Sequence, residues 1–529
     1  MSRFPRVLPV GDAAVTVELG DTIDPEVSSR VRALDRTLGH EPFDGFLEAV
    51  PCWRSLLVLY DPARTTFERV FDVVHCALPV SLDADAGGTV HMVPTRYGGE
   101  EGPDLEDVAR ATGLTVAEVI ALHSGTEYTA EMLGFMPGFA YLGWLPPALE
   151  TPRRRTPRTL VRAGSVAIAA RQTAIYPSDS PGGWNLIGRT SRVLFDPHRS
   201  SPALILPGDR VRFAPVDALE ESPARPVREI AAGRQALEVL DGGLLTTVQD
   251  RGRFGLRRVG VAIAGPMDVA SFLWANGAVG NPGMAAALEC TMTGPEVRFL
   301  EPTRFALAGA ELGAVLDRSD LGPWEVPQGR AVLARVGNVL RFQGRRSGCR
   351  AYIAFAGGVD VPAVLGSRST DLAGRFGGFG GRALRAGDRL ALGTADGADE
   401  TRSGAQPASH PSAATVRVIL GPQAEVFDAR SVERFLAETW SVTSTSDRIG
   451  CRLAGPQLHR REPGETVTDG MVFGSIEVPP DGQPIVMMAD APTTGGYPKI
   501  ATIVTADLPL LAQLVPGEGR VRFEVVKTG

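Results

Sequence analysis

One stretch of this chain is written twice, and any fold must accommodate both copies. Residues 164–190 read GSVAIAARQTAIYPSDSPGGWNLIGRT, and residues 474–503 read GSIEVPPDGQPIVMMADAPTTGGYPKIATI. Gly164-Ser165-Val166 matches Gly474-Ser475-Ile476. Ser180-Pro181-Gly182-Gly183-Trp184 matches Thr493-Thr494-Gly495-Gly496-Tyr497. Each copy then passes a Pro-Gly turn, Pro207-Gly208 or Pro516-Gly517, into an alternating strand at 210–213 or 520–523. Matched motifs in the same order predict one β unit used twice.

The shared loop has a physical use. Two glycines before an aromatic ring permit φ > 0 and a close backbone approach to a ligand. Bared N–H groups can then form a nest for an anion. Trp184 and Tyr497 offer flat apolar surface with a polar tip, and Arg189 offers a fork for carboxylate or phosphate. The plainer reading is two hairpin turns carrying aromatic plugs, and the pattern alone leaves both open.

The rest of the chain falls into units around these copies. Its 529 residues suffice for several cores. Short Val/Ile/Leu runs between turn signals predict mainly β architecture. Residues 1–82 read as a small α/β domain, with strands at 14–19 and 55–60 and helices at 25–38 and 66–78. Its His75 and Cys76 read as helix packing. Residues 88–213 form the first β unit, with a helix after Thr115 capped by the Thr115/Glu118 box and His123 near its end as a candidate site residue. The loop 134–143 reads as a tight turn on a core or an apolar pocket wall, and Arg153 to Arg158 as a solvated edge. Residues 214–236 and 393–415 read as linkers. Between them, 237–392 is a β-rich domain in which Asp250 and Arg251 end a strand where a side chain can reach a cleft. Residues 416–529 form the second β unit.

Several chemistries are disfavoured. The net charge of -7 gives no reason to expect nucleic acid. Five cysteines without CxxC spacing read as reduced, mostly core residues of a cytoplasmic protein. The start lacks a signal-peptide core, and no apolar run is long enough to span a membrane. The seven histidines make no HxH or HExxH pair, so no dedicated metal site is expected. No P-loop or GxSxG elbow occurs. Lysine occurs only at Lys499 and Lys527, and neither has the Met-Lys-Met setting of a biotinyl carrier.

Three blocks together carry a family resemblance. GFMPGFAYLG with the 151–190 stretch resembles the first subunit of the allophanate-hydrolase/KipI type. DGGLLTTVQDRGRFG, AGGVDVPAVLGSRST, SDRIGCRL and TTGGYP resemble the second, KipA type. The chain is similar to a fusion of the two, and to the carboxyltransferase region of urea carboxylase. The resemblance implies cyclophilin-like β-barrels. It also implies 5-oxoprolinase activity: opening of the 5-oxoproline lactam, a small amide, to glutamate, with ATP and Mg2+ and a LamB/YcsF-family partner. Biotin-dependent carboxyl transfer to urea or a related amide is the alternative, and histidine-kinase inhibition of the KipI type a third. The absence of a biotin carrier segment favours oxoprolinase. The sequence leaves open whether chains pair.

The expected cleft is lined by Gln172, Thr173, Gly182, Gly183, Trp184 and Arg189 from one half. Arg368, Asp447, Arg448, Asp490, Thr494, Gly495, Gly496 and Tyr497 come from the other. Asp447 or Asp490 is expected as base or Mg2+ ligand, with Arg448 and His123 beside them, and Arg189 or Arg368 as carboxylate clamp. The family's usual Gly-Ala-Ile-Gln-Val-Pro stands here as Gly474-Ser475-Ile476-Glu477-Val478-Pro479. Its usual Asp-Arg-Gln-Thr-Thr stands as Asp490-Ala491-Pro492-Thr493-Thr494. Losing Arg and Gln and gaining Glu477 alters the charge of the second pocket.

Overall fold

A computed structural model describes residues 4–78, 88–220, 235–394, 412–462, 464 and 466–526. The fold is mainly β with α+β, and its frame is the duplicated unit. In the first copy the strands run around a closed barrel in the order Val90–Tyr97, Asn185–Arg189, Ser165–Ala169, Gln172–Ile175, Ala140–Gly143, Glu127–Leu133 and Arg210–Pro215. In the second the order is Ala413–Leu420, Lys499–Ile503, Ser475–Glu477, Ile485–Met487, Gly450–Ala454, Trp440–Val442 and Arg520–Val525. The two circuits are identical in connectivity. Each closes through a parallel pairing of its first and last strands, and every other pairing is antiparallel. Closure leaves no edge strand in either barrel. Beside each lies a two-stranded ribbon, Ser180–Gly182 with Arg158–Val161 and Thr494–Gly495 with Asp469–Gly470.

The N-terminal domain is a four-stranded antiparallel sheet in the order Arg6–Pro9, Ala14–Glu18, Ser55–Tyr60, Phe46–Pro51. The helix Pro25–His40 starts where Asp24 accepts the N–H groups of Glu26 and Val27, with proline in its first turn. Its Val31, Leu34 and Leu38 pack on Val15, Val17 and Val58. The helix Phe67–Ala77 buries only Val70 and Val74. His75 and Cys76 are therefore exposed rather than packed, and His75 stacks on Phe71 at 5.8 Å. In the first barrel unit, the capping box at Thr115 forms as expected and starts the helix Val116–Ser124.

The middle domain stacks a seven-stranded sheet on a five-stranded one. Leu237, Phe299, Phe305, Leu340, Ile353 and Phe355 fill the space between them. The helix Val269–Ala278 covers the outer face through Phe272 and Ala275. Strands reach Pro215 and begin at Gln235 and Ala413, so the first expected linker loses two residues at each end and the second loses three at its C-terminal end. Residues 221–234 and 395–411 lie outside the described residues.

The N-terminal domain bridges the two barrels. Arg32 pairs with Glu131 of the first barrel, and Trp53 meets Trp144 at 5.5 Å. On the other side the Ser55 hydroxyl donates to Asp469 of the second barrel, and Asp12 accepts the N–H of Thr505 at 3.0 Å. The barrels also touch directly, where Gly134 accepts the Thr493 N–H at 3.2 Å.

Candidate functional site

The same ladder position is filled differently in the two barrels. In the first, Ala167 faces Leu186 across the strands, and both are buried. In the second, the equivalent pair is Glu477 and Lys499, 4% and 1% exposed. The ring after the glycines changes with them. Trp184 is 6% exposed and sealed against Phe139, Tyr141 and Tyr176, whereas Tyr497 is 42% exposed. One copy is plugged with apolar side chains. The other holds an ionisable pair beneath a ring that reaches solvent.

Around Lys499 the polar groups converge from three elements. Its ammonium donates to Asp469 Oδ2 and to the Gly470 carbonyl, each at 3.0 Å. Gln423 donates to the same Asp469 oxygen at 2.9 Å, and Ser55 of the N-terminal domain donates to the other. Burial raises the Asp469 carboxyl, but Lys499 and Ser55 more than offset it and hold it at about 2. Glu477 lacks such support. Among the described residues it accepts only the Tyr497 N–H, at 3.3 Å, and burial pushes it to about 7 against the pull of Lys499. A carboxyl titrating near neutrality beside a permanent carboxylate and a buried ammonium can take or give a proton.

The paired glycines work by closeness rather than by left-handed backbone. None of Gly182, Gly183, Gly495 and Gly496 sits at positive φ, so no nest of that kind forms. A Cβ on Gly182 would lie 2.4 Å from the Tyr176 hydroxyl, and one on Gly495 would lie 2.0 Å from Glu477 Oε1. Gly496, with 4.0 Å of room, is exposed.

The other expected site residues do not share one cleft. Thr173 points into the first barrel, bonded to His123 Nε2 at 2.9 Å. His123 is fully buried and bonded through Nδ1 to the Tyr97 hydroxyl at 2.7 Å; burial pushes it down to about 3, so it is a neutral core group. Gln172 stands half-buried at the mouth of the same barrel. Asp447 is exposed and closes an Asx turn on the N–H groups of Ile449 and Gly450. Arg448 and Asp490 are locked together by two bonds of 2.8 Å. Arg448 also reaches Glu289 and the Gly265 carbonyl, clamping the second barrel to the middle domain. Burial alone would lower the Arg448 guanidinium, but Asp490 and Glu289 outweigh it and keep it charged. Thr494 is buried where the barrels meet, its methyl and hydroxyl filling the space a Cβ on Gly134 would need.

Two arginines do line cavities, separately. Arg189 pairs with Glu101 at 3.2 Å and lines a cavity of about 710 Å3 that spans the first barrel and the middle domain, together with Arg192 and Arg375. Arg368 pairs with Asp360 at 3.5 Å and lines one of about 330 Å3. The expected solvated edge is instead a second clamp: Arg154 and Arg158 each hold the buried Asp104 at 2.7 Å. Sequence reasoning passed over Lys499 and Asp469 as site residues. The visible signals were a rare lysine in an arginine-rich chain and the unusual Glu477.

The comparisons fit this division. A model described as carboxyltransferase domain, subdomain A and B, matches residues 259–525, and one for subdomain C and D matches residues 5–205. The chain belongs to the carboxyltransferase-domain family. The crystal structure of TTHA0988 superposes with a TM-score of 0.85 at 36% identity, over 97% of this chain and 100% of that one. The 5-oxoprolinase C subunit of Escherichia coli (strain K12) is 39% identical over 283 residues, 53% of this chain and 89% of that protein. The 5-oxoprolinase B subunit of Bacillus subtilis (strain 168) is 39% identical over 215 residues, 39% of this chain and 90% of that protein. Counterparts of both subunits thus stand in one polypeptide.

Proposed function

We propose that this chain supplies the fused B and C subunits of an ATP-dependent 5-oxoprolinase, opening the 5-oxoproline lactam to glutamate with a LamB/YcsF-type partner. The carrying observation is the Glu477–Lys499–Asp469 cluster beneath the Tyr497 loop, where the sister barrel sets Ala167 against Leu186 in place of the Glu477–Lys499 pair. An unstrained lactam needs its carbonyl activated, a proton taken from the attacking water and a proton returned to the departing nitrogen. Glu477, titrating at about 7, is suited to both proton transfers. Asp490, bound twice to Arg448, is not. Lys499 stabilises negative charge developing beside Glu477. The relatives named as 5-oxoprolinase subunits give the substrate.

ATP supplies the activation of the lactam oxygen when bound. Among the described residues no group of three or more His, Cys, Asp or Glu side chains could hold a metal. Mg2+ would therefore arrive on the phosphates, with few protein ligands.

The test mixes the chain with a LamB/YcsF-type protein, ATP, Mg2+ and 5-oxoproline. Glutamate formation that needs both proteins and fails with Glu477→Gln is the expected result. The carboxyltransferase match favours one other reading, carboxyl transfer from carboxybiotin to urea or a related amide. Carboxylated urea without any turnover of 5-oxoproline would replace the first reading with that one.

A further inference from the structure

A cavity of about 500 Å3 opens where the N-terminal domain, the middle domain and the second barrel meet, away from the Glu477 cluster. Its walls are apolar. Leu47, Phe254 and Leu273, one from the first of these domains and two from the second, are 46%, 51% and 36% exposed, an unusual gathering for solvent-facing side chains. Two guanidinium groups flank this surface. Arg251 is exposed, and no carboxylate lies within ion-pair distance of it among the described residues. Arg257 is 3% exposed and donates to the Met471 carbonyl, while its Nε has no hydrogen-bond partner among the described residues. Glu48 acts on this guanidinium through space, but its carboxylate hydrogen-bonds the Arg257 backbone N–H, at 2.9 Å. Asp12, the cavity's one lining acid, is taken by the Thr505 N–H and hydroxyl.

A neutral apolar ligand would leave the buried Arg257 Nε without an acceptor. An inorganic anion would leave the apolar walls wet. A molecule with an anionic head and an apolar body satisfies both demands. We infer that this cavity binds an amphiphilic carboxylate of medium-chain fatty-acid type, its head between Arg251 and Arg257 and its chain along Phe254, Leu273 and Leu47. Three domains each supply a wall, so the occupied cavity holds the N-terminal domain against the C-terminal half.

Titration calorimetry of the full chain with decanoate, decanol and acetate tests this independently of any turnover. Decanoate is expected to saturate one site per chain, with decanol and acetate each weaker by about tenfold or more. Arg251→Gln, a surface change that does not threaten folding, should weaken decanoate by about tenfold and leave decanol unchanged. Ala270→Phe, which fills the cavity, should abolish both. Decanoate that fails to saturate, matches decanol or ignores both substitutions would overturn the inference. So would protection of a Phe254→Cys thiol by the LamB/YcsF-type protein but not by decanoate, which would assign the surface to a protein.

Discussion

Replacing Glu477 with Gln should make the protein more stable and less active at once. Burial raises this carboxyl from an ordinary 4.5 to about 7. Between those values the folded chain holds a proton that the unfolded chain has lost. Stability therefore falls as pH rises through the window and is lowest above 7. A gap of that size corresponds to about 3 kcal/mol, an upper figure for a group so buried. Gln keeps an oxygen for the Tyr497 N–H and has no charge to desolvate, and Lys499 keeps Asp469 at 3.0 Å. The assay is paired thermal melting of both proteins at pH 5 and pH 8, so that every other titrating group cancels. The variant should gain little at pH 5 and roughly 10 °C at pH 8 if the barrel melts as its own unit. Glutamate formation should fall by about 100-fold or more. A melting difference that does not grow with pH would refute the buried, strained carboxyl. Unchanged turnover would make Glu477 a structural residue.

The remaining expectations follow from the same geometry. Lys499→Met strands Asp469 in the core and should cost about 3–5 kcal/mol, read as a lower melting temperature at neutral pH. Asp469, held at about 2, contributes stability that is full above its ordinary 3.8 and lost as pH falls through 2, so this penalty should shrink in acid. Gly495→Ala should lose turnover and melt early because its Cβ meets Glu477, whereas Gly496→Ala should behave as the parent in both assays. His123, lowered to about 3, leaves the unfolded chain the stronger proton binder up to 6.5, so stability should climb with pH across that window. His123→Gln should flatten the climb without moving the pH profile of turnover.

The frame of the molecule was legible because repetition survives in turn chemistry. Gly164 and Gly474 and the Pro-Gly turns are held by positive-φ backbone, and Gly182 and Gly495 by close packing, so both copies kept them, and the barrels followed. The capping box at Thr115 likewise marked a helix that formed, and Asp24 and Thr66 cap the two helices of the N-terminal domain. What the sequence could not show was direction across a strand. Thr173 and Glu477 both sit in strands of the duplicated unit, yet one bonds to a core histidine and the other lies beneath an exposed loop. Pairing of distant charges was equally hidden. Arg448 finds Glu289 from 159 positions away, and Ser55 finds Asp469 from 414 away. The expected cleft failed because polar residues were gathered by motif, while the fold distributes them among clamps, turns and separate cavities.

The parallel seam in each barrel has an effect on how such modules can be strung together. With first and last strands side by side and pointing the same way, the polypeptide comes in at one rim and leaves from the opposite rim. Each barrel is thus an in-line bead. Joining two of them end to end asks for no doubling back, and severing the joint would open neither. The parts of this chain that match separate C and B subunits elsewhere can therefore stand in one polypeptide with both barrels closed.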